Sequence, residues 1–255
     1  MSRLHDKAVI IFGSAGGIGA ATARRICSEG AKVGLVDING DAVEATAAKL
    51  RDEGFAAFAA QADISDEAAV AASVAALVGE LGKIDGAFMN AADLRMALVD
   101  TDLLDMDMAV YDQTMAVNLR GHVLCTRAVL PHMLANGSGA IIYTSSGSAQ
   151  SGEPVRPAYA MSKQALYALS RHVARRWGKE GITSNVISPG FIVTPEQKES
   201  GIIPQEMIDH FLAGCATPRI GMVDDVAAMA ALLLSEEGRW VTGQTYHVNG
   251  GGIMP

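Results

Sequence analysis

A tyrosine and a lysine four residues apart, Tyr159 and Lys163, are the side chains of this sequence that most directly suggest acid–base chemistry. In a helix, this spacing places the phenol and the ammonium group on one face. A free phenol with a pKa of about 10 is a poor base at neutral pH, and a nearby cation favours its ionised form. The pair therefore predicts a proton-transfer centre. Taken alone, a surface tyrosine beside a solvated lysine is the better explanation of the same two residues.

A glycine-rich segment, GSAGGIG at residues 13–19, lies between a short apolar run and the first helical pattern. Glycines at such a junction allow a tight turn and let the backbone approach a pyrophosphate at the N-terminus of a helix. The spacing differs from the commoner GxGxxG pattern, so an ordinary glycine-rich turn is the alternative. The predicted cofactor contacts in this segment are Gly13, Ser14, Gly17, Ile18 and Gly19.

Asp37 follows the second apolar run, about 20 residues after the glycine loop, where a carboxylate can bind the adenosine ribose and repel a 2′-phosphate. No arginine or lysine lies in the loop or directly after Asp37, so the sequence favours NAD over NADP. The alternative is that Asp37 caps the next helix, since Asn39 and Asp41 are also nearby.

Further motifs occur in a fixed order: Asn90-Ala91, Asn118, Ser145-Ser146 and Pro189-Gly190, with Ser146 thirteen positions before Tyr159. Together with the glycine loop and YxxxK, they give a chain that resembles the short-chain dehydrogenase/reductase family over nearly its whole length. The resemblance implies a Rossmann-type fold and a nicotinamide cofactor.

The resemblance also implies roles for the catalytic residues. Tyr159 would be the acid or base, and Lys163 would lower its pKa and bind the nicotinamide ribose. Ser146 would hydrogen-bond the substrate oxygen, and Asn118 would hold a water molecule in the proton relay. In oxidation, the hydroxyl proton would pass to Tyr159 while the hydride leaves for the nicotinamide.

Additional positions match the cofactor site of the family. Asp63-Ile64 resembles the pair beside the adenine, Asn90-Ala91 the segment under the adenosine ribose, and Thr194 the contact to the carboxamide. Each has a plainer explanation, because Asp63 could cap a helix, Asn90 could close a turn and Pro-Gly is a common turn dipeptide. The cofactor residues implied outside the glycine loop are Asp37, Ile38, Asp63, Ile64, Asn90, Ala91, Tyr159, Lys163, Pro189, Gly190, Ile192 and Thr194.

Three residues depart from the family pattern: Phe12 replaces the usual threonine before the glycine loop, and Met89 and Ala92 replace residues of NNAG. These changes put the tethering of the loop in doubt. None of them removes a group that the hydride chemistry needs.

The elements that must position these residues alternate between strand and helix. The strands are predicted at 8–12, 32–36, 56–60, 84–89, 140–144, 183–187 and 245–248. The helices are predicted from about 17, and at 41–51, 67–81, 106–134, 157–179 and 224–234.

This alternation predicts one α/β domain over residues 1–255, a Rossmann-type doubly wound parallel sheet of about seven strands with helices on both faces. Residues 91–105 and 191–217 resist assignment, and the second stretch is expected to form a substrate lid. Its apolar residues could form one wall of the substrate pocket. Arg95, Glu153 and Arg156 lie in segments that could also border the pocket, and the alternative is that they are exposed. The apolar lid residues are Phe191, Ile192, Ile202, Ile203, Met207 and Phe211.

Composition limits the partners. The 255-residue chain is 49% hydrophobic and only 5% aromatic, which suits aliphatic helices packed on a parallel sheet. A net charge of −8 without a basic cluster argues against nucleic acid and anionic membranes.

The three cysteines are far apart, and no signal peptide or membrane span is evident at the sequence level, so a cytoplasmic location is expected. The six histidines show no metal-ligand spacing, so no metal is predicted.

The sequence therefore predicts an oxidoreductase that transfers a hydride between NAD(H) and a secondary alcohol or ketone, with an apolar or cyclic substrate. One alternative is an NADP-dependent carbonyl reductase of the 3-oxoacyl type. Another is a dinucleotide-binding protein without catalysis, although such a protein has no use for an acid–base tyrosine. The family resemblance also implies a homotetramer, with helices 106–134 and 157–179 packing between subunits.

Overall fold

Seven parallel strands form the central sheet of the computed structural model, which describes residues 2–194, 197 and 200–254. The strands of this sheet are β1 (Ala8–Phe12), β2 (Lys32–Asp37), β3 (Ala57–Gln61), β4 (Gly86–Met89), β5 (Gly139–Thr144), β6 (Ile182–Pro189) and β9 (Thr245–Val248). Two short strands, β7 (Ile192–Val193) and β8 (Gly221–Met222), lie outside it. The sheet order is β3-β2-β1-β4-β5-β6-β9, and β7 and β8 form a separate parallel pair.

Helices cover both faces of this sheet. They are α1 (Gly17–Ser28), α2 (Gly40–Asp52), α3 (Glu67–Leu81), α4 (Leu94–Val99), α5 (Met108–Met115), α6 (His122–Ala135), α7 (Ser148–Ser151), α8 (Pro157–Trp177), α9 (Gln205–Ala213) and α10 (Val223–Leu234). A π-helical turn, Ala116–Gly121, joins α5 to α6.

The strands are continuously apolar because each is buried on two sides. In β1, Ile10 packs in the core that includes residues of α3, α6 and α8, whereas Ile11 packs in the core that includes residues of α1, α2 and α10. A run of β-branched residues with no polar alternation is the pattern that this environment requires.

The order of the sheet reverses between β1 and β4, which lie side by side with Phe12 opposite Met89. Their carboxyl ends lead directly into Gly13 and Asn90. In open α/β sheets, the crevice beyond such a reversal is where ligands bind. The fold therefore brings the glycine loop and the Asn90 segment to one edge.

The predicted fold class is confirmed, and the structure corrects details of the elements. The single helix predicted over 106–134 is two helices joined by the π-helical turn. An inserted residue of this kind leaves the apolar pattern on both sides intact, so helical periodicity does not reveal it. The two unassigned stretches contain short elements, α4 in the first, and β7 and α9 in the second.

Candidate active site

The glycine loop is built for a close backbone approach. Gly13 has a φ of +81°, and a Cβ atom there would lie 2.5 Å from the backbone of Ala91. A Cβ on Gly19 would lie 2.0 Å from the Gly13 carbonyl oxygen, so α1 packs directly on the loop. Within the described chain no side chain caps α1, and its first turn has no acidic residue. These uncapped N–H groups fit a pyrophosphate.

Asp37 faces the glycine loop. Its Oδ2 accepts the N–H of Ala15 at 3.0 Å, and its Oδ1 accepts the N–H of Asn39 at 3.1 Å. The cap of α2 is Asn39, whose Oδ1 accepts the N–H of Ala42 at 3.1 Å. Capping of the next helix therefore does not explain Asp37, and its carboxylate lines the cleft beside Gly13.

Helix capping does not account for the position of Asp63, and closing a turn does not account for that of Asn90. Asp66, not Asp63, caps α3, and Asp63 lines the cleft. Asn90 donates through Nδ2 to the Gly13 carbonyl oxygen at 2.9 Å and accepts the Thr144 hydroxyl at 3.2 Å. Asn90 thus ties the glycine loop to the end of β5, and the loop is tethered despite the departures from the family pattern.

A long cleft runs along this edge of the sheet as two adjoining cavities of about 580 and 600 Å³, which share Gly13, Asp37 and Ala91. Its length, glycine floor and carboxylate-lined end fit a dinucleotide. The predicted cofactor residues that line the cleft are Gly13, Gly17, Ile18, Asp37, Ile38, Asp63, Ile64, Asn90, Ala91, Tyr159, Lys163, Pro189, Gly190 and Ile192.

Three predicted cofactor residues lie outside this lining. Ser14 is fully buried and donates its hydroxyl to the Val36 carbonyl oxygen at 3.2 Å. Gly19 packs against the loop, as described above. Thr194 follows β7, and its hydroxyl accepts the N–H of Gln197 at 3.1 Å. Of the predicted lid, residues 195, 196, 198 and 199 lie outside the described chain.

Lys163 is buried in α8, and its ammonium group donates to the Thr144 carbonyl oxygen at 2.9 Å. Its Nζ lies 5.8 Å from the centroid of the Tyr159 ring. Because burial disfavours the charged form, the pKa of Lys163 is lowered to about 8.

The pKa of Tyr159 corrects the sequence-based expectation. In the protein chain itself burial raises this pKa above its ordinary value, and the hydrogen bond with Ser146 opposes the rise only in part. The direction is opposite to the one expected from the neighbouring lysine, because desolvation of the phenolate dominates. Tyr159 is therefore protonated at neutral pH, and the hydroxyl of Ser146 lies near its phenol.

Asn118 lies in the π-helical turn, buried behind the cleft. Its Oδ1 accepts the N–H of Asp93 at 2.9 Å, and its Nδ2 donates to the hydroxyl of Ser162 at 3.4 Å. Ser162 in turn donates to the Tyr159 carbonyl oxygen at 2.7 Å. Asn118 thus links the cleft wall to the backbone of α8, which carries Tyr159 and Lys163.

The backbone carbonyl oxygen of Asn118 contacts the ring of His122, and the sequence did not reveal this contact. It lies 2.7 Å from Nδ1 of His122, and because a carbonyl only accepts, this nitrogen must carry the proton. Burial lowers the pKa of His122 to about 3, so the ring is neutral. The spacing of the histidines in the sequence bears only on metal binding, so it did not predict this contact with a backbone oxygen.

Asp100 is a second functional residue that the sequence motifs missed. Its buried carboxylate accepts the N–H of Tyr159 at 2.8 Å and the N–H of Ala158 at 3.4 Å. Arg156, the residue before α8, has a φ of +66° and no capping side-chain bond. Asp100 therefore caps α8 from a loop 58 residues earlier, a pairing that no local pattern shows.

We expect Asp100→Ala to destabilise the protein by about 1–2 kcal/mol, because two N–H groups at the buried start of α8 lose their acceptor. Asp100→Asn keeps one acceptor oxygen and should recover part of this loss. Urea unfolding of both variants measures the effect. Equal stability of Asp100→Ala and the wild type would show that the cap is dispensable.

A separate cavity of about 580 Å³, called the second cavity from here on, adjoins the two cavities that make up the cleft. It shares Ser146, Pro189, Gly190 and Phe191 with the cleft. The rings of Phe191 and Phe211 stack with centroids 4.2 Å apart and form an apolar wall. Of the predicted wall, Phe191 and Phe211 line the cavity, although Phe211 is 38% exposed, and Ile202 and Met207 are exposed. Glu153 and Arg156 line this cavity, and Arg95 lines the cleft instead.

Two kinds of feature are absent from the described residues, a metal-binding cluster and a membrane-spanning helix. These residues contain no group of three His, Cys, Asp or Glu side chains that could hold a metal ion. No helix among them is long and apolar enough to cross a membrane.

Comparison with known proteins adds to this geometry. Residues 13–252 match the family model described as enoyl-(acyl carrier protein) reductase. The chain is 34% identical to the 7alpha-hydroxysteroid dehydrogenase of Bacteroides fragilis over 251 residues, which is 98% of this chain and 96% of that protein.

Two solved structures are also similar. The crystal structure of a levodione reductase superposes with a TM-score of 0.89 at 32% identity, covering 97% of this chain and 98% of that one. A gluconate 5-dehydrogenase from Burkholderia cenocepacia, in complex with NADP and tartrate, gives a TM-score of 0.87 at 29% identity, covering 98% and 96%.

Proposed function

Because the chain belongs to the short-chain dehydrogenase/reductase family, we propose that it transfers a hydride between NAD(H) and an apolar or cyclic secondary alcohol or ketone. One observation carries the proposal: Ser146 lies where the glycine-floored cleft meets the second cavity, and Tyr159 and Lys163 line the cleft with it. A substrate carbon in that cavity would lie next to the cleft that fits the dinucleotide.

The chain's own residues would handle the proton and the substrate oxygen. In the oxidising direction, Tyr159 takes the hydroxyl proton as the carbonyl double bond forms, and Ser146 hydrogen-bonds the substrate oxygen. Before this transfer Tyr159 is a phenolate, whose charge the ammonium group of Lys163 balances, and after it Tyr159 is a neutral phenol. A bound nicotinamide would supply the acceptor of the hydride and its electron pair. Asn118 would hold the water that returns the proton to solvent.

Reduction runs the same groups in reverse and starts from the protonated phenol. The raised pKa of Tyr159 means that this form predominates at neutral pH, so the residue is ready to donate to a carbonyl oxygen. Oxidation needs the phenolate, and its rate should therefore increase with pH through the neutral range.

We infer a preference for NAD from the position of Asp37 at the end of β2, facing the cleft beside the glycine loop. A carboxylate there hydrogen-bonds ribose hydroxyls and repels a 2′-phosphate. The alternative is an NADP-dependent carbonyl reductase, which one similar structure with bound NADP keeps open.

Replacing Asp37 with Asn tests this preference. We expect the ratio of kcat/KM for NAD to kcat/KM for NADP to fall by about tenfold or more, because the repulsion of the 2′-phosphate disappears. Asn retains an oxygen for the N–H of Ala15, so the loop should keep its shape. Asp41→Asn, two residues into the exposed start of α2, is the matched control. A wild-type preference for NADP would contradict the inference.

The function itself is tested with a panel of cyclic, steroid-like, aryl and polyol alcohols and their ketones, offered with each cofactor. Absorbance at 340 nm reports the reduced dinucleotide. We expect turnover of apolar cyclic compounds, since Phe191 and Phe211 form the wall of the second cavity. Better turnover of small charged hydroxy acids would contradict the substrate class, and binding without any turnover would favour the non-catalytic alternative.

We also propose that the protein assembles as a homotetramer, with α5, α6 and α8 between subunits. Apolar side chains are exposed beside these helices: Leu103, Leu104, Met108 and Met161 are 71%, 93%, 58% and 43% exposed. Exposed apolar groups in one region indicate an interaction surface. Sedimentation should give a tetramer at micromolar concentration, whereas a monomer would contradict the proposal.

A further inference from the structure

The ion pair of Glu153 and Arg156 lies in the wall of the second cavity, between Ser146 and Tyr159 in the chain. The Ser148 hydroxyl donates to Oε1 of Glu153 at 2.7 Å, and Nη2 of Arg156 donates to Oε2. The charges of both residues act on the phenol of Tyr159, Arg156 lowering its pKa and Glu153 raising it. The pair is therefore close to the reacting centre.

The backbone of Arg156 is unfavourable for its residue type. Its φ of +66° is in the left-handed region, which is sterically unfavourable for a residue with a side chain, and Pro157 restricts it further. Two carbonyl oxygens, those of Asp100 and Thr101, hold its N–H at 3.0 and 3.1 Å. Glycine or asparagine would fit this backbone better. An arginine kept in such a position indicates a function for its side chain.

The guanidinium group of Arg156 has N–H groups without a partner among the described residues. It carries five N–H bonds, and within the described chain only Nη2 has a partner, the Glu153 carboxylate. Its Nε and Nη1 groups are available to an acceptor in the cavity. The stacked pair of Phe191 and Phe211 lines the same cavity, so the cavity offers apolar surface for a ring and polar groups for an oxygen.

The ion pair of Glu153 and Arg156 has no net charge, and this favours a neutral oxygen over an anionic group as its ligand. An anionic group drawn to Arg156 would also meet the adjacent Glu153 carboxylate and be repelled. A hydroxyl or carbonyl oxygen accepts from the guanidinium group without that repulsion, and a hydroxyl can also donate to the carboxylate.

Building on the proposed function, we propose that Glu153 and Arg156 recognise a second, neutral oxygen of the substrate. The preferred substrate class is thus a cyclic ketone or secondary alcohol that carries another hydroxyl or carbonyl group on the ring. Ser146 and Tyr159 engage the reacting oxygen, and the ion pair engages the other one.

Three cyclohexanones test this inference, because they differ only at the ring position opposite the carbonyl: 4-hydroxycyclohexanone, 4-methylcyclohexanone and 4-oxocyclohexanecarboxylate. The hydroxyl and methyl compounds are nearly isosteric. For the wild type, we expect kcat/KM to be about tenfold or more higher for the hydroxyl compound than for either of the others.

Three variants separate recognition from a structural role. In Arg156→Gln, the ratio of hydroxyl to methyl compound should fall to about one, and Arg156→Gly, which suits the backbone, should give the same ratio. In Glu153→Gln, the positive charge is no longer balanced, so kcat/KM for the carboxylate compound should rise about tenfold relative to the hydroxyl compound. A merely structural ion pair would not reverse selectivity in this way.

A wild type that treats the hydroxyl and methyl compounds alike, or variants that keep the wild-type ratios, would overturn the inference. So would the absence of turnover with all three compounds while other alcohols of the panel are oxidised, and the proposed function would then still stand. Only the failure of every alcohol and ketone with both cofactors would count against the proposed function as well.

Discussion

Tyr159→Phe should lower kcat by at least about 10²-fold, because the phenol hydroxyl is the group that exchanges a proton with the substrate oxygen. The ring remains, and it fills the same space beside Ser146. The affinity for the dinucleotide should therefore change little. Steady-state kinetics give kcat, and the fluorescence of the reduced dinucleotide gives the dissociation constant.

Tyr167→Phe is the matched control, since Tyr167 is a buried tyrosine two turns further along α8. Its hydroxyl makes one long bond, 3.4 Å to Ser188, and it lines neither the cleft nor the second cavity. This variant should keep kcat within about twofold of the wild type. Unchanged turnover in Tyr159→Phe would refute the assignment of the acid–base residue.

Lys163→Met should inactivate the enzyme and stabilise the fold. Activity should fall at least about 10²-fold, because no cation remains to balance the phenolate. In the folded chain, the pKa of Lys163 is lowered to about 8, which means that its buried charge costs about 3 kcal/mol at neutral pH. Part of this gain is offset because the Thr144 carbonyl oxygen loses its donor, so we expect a net stabilisation of about 1–2 kcal/mol.

The stabilisation expected for Lys163→Met should depend on pH, and the lowered pKa of Lys163 sets the direction. Because the folded state has the lower pKa, the unfolded chain binds more protons between about pH 8 and the ordinary lysine pKa of 10.5. Wild-type stability therefore rises with pH across that window as the penalty is relieved. The difference between Lys163→Met and the wild type should shrink from pH 7 to pH 10.

Urea unfolding at several pH values measures this difference. Lys179→Met, which removes an exposed lysine just after α8, should change the free energy of unfolding by less than about 0.5 kcal/mol at any of them. A Lys163→Met variant that is less stable than the wild type at pH 7 would contradict the claim that the buried charge is costly.

Much of the fold could be predicted because buried parallel strands carry a strong pattern. The runs that became β1, β5 and β9 stand out by their β-branched residues, and the glycine loop marks where β1 ends. The sequence did not predict the π-helical turn around Asn118, since the apolar pattern continues on both sides of it.

The site was predictable where one chemical requirement sets a local pattern. Gly13 must have a positive φ, and the spacing of Tyr159 and Lys163 follows from one turn of helix. Asp100 and His122 were missed because they act through contacts with distant or backbone atoms, which leave no spacing in the sequence. The pKa of Tyr159 was expected in the wrong direction because burial cannot be read from its neighbours in the chain.

The most direct test of the central claim follows a single hydrogen. A secondary alcohol that the panel identifies as a substrate is prepared with deuterium on its carbinol carbon and is oxidised by the wild-type enzyme with NAD. We predict that the reduced dinucleotide carries the deuterium, as measured by its mass. Oxidation that yields unlabelled reduced dinucleotide, with the deuterium lost to water, would contradict direct hydride transfer.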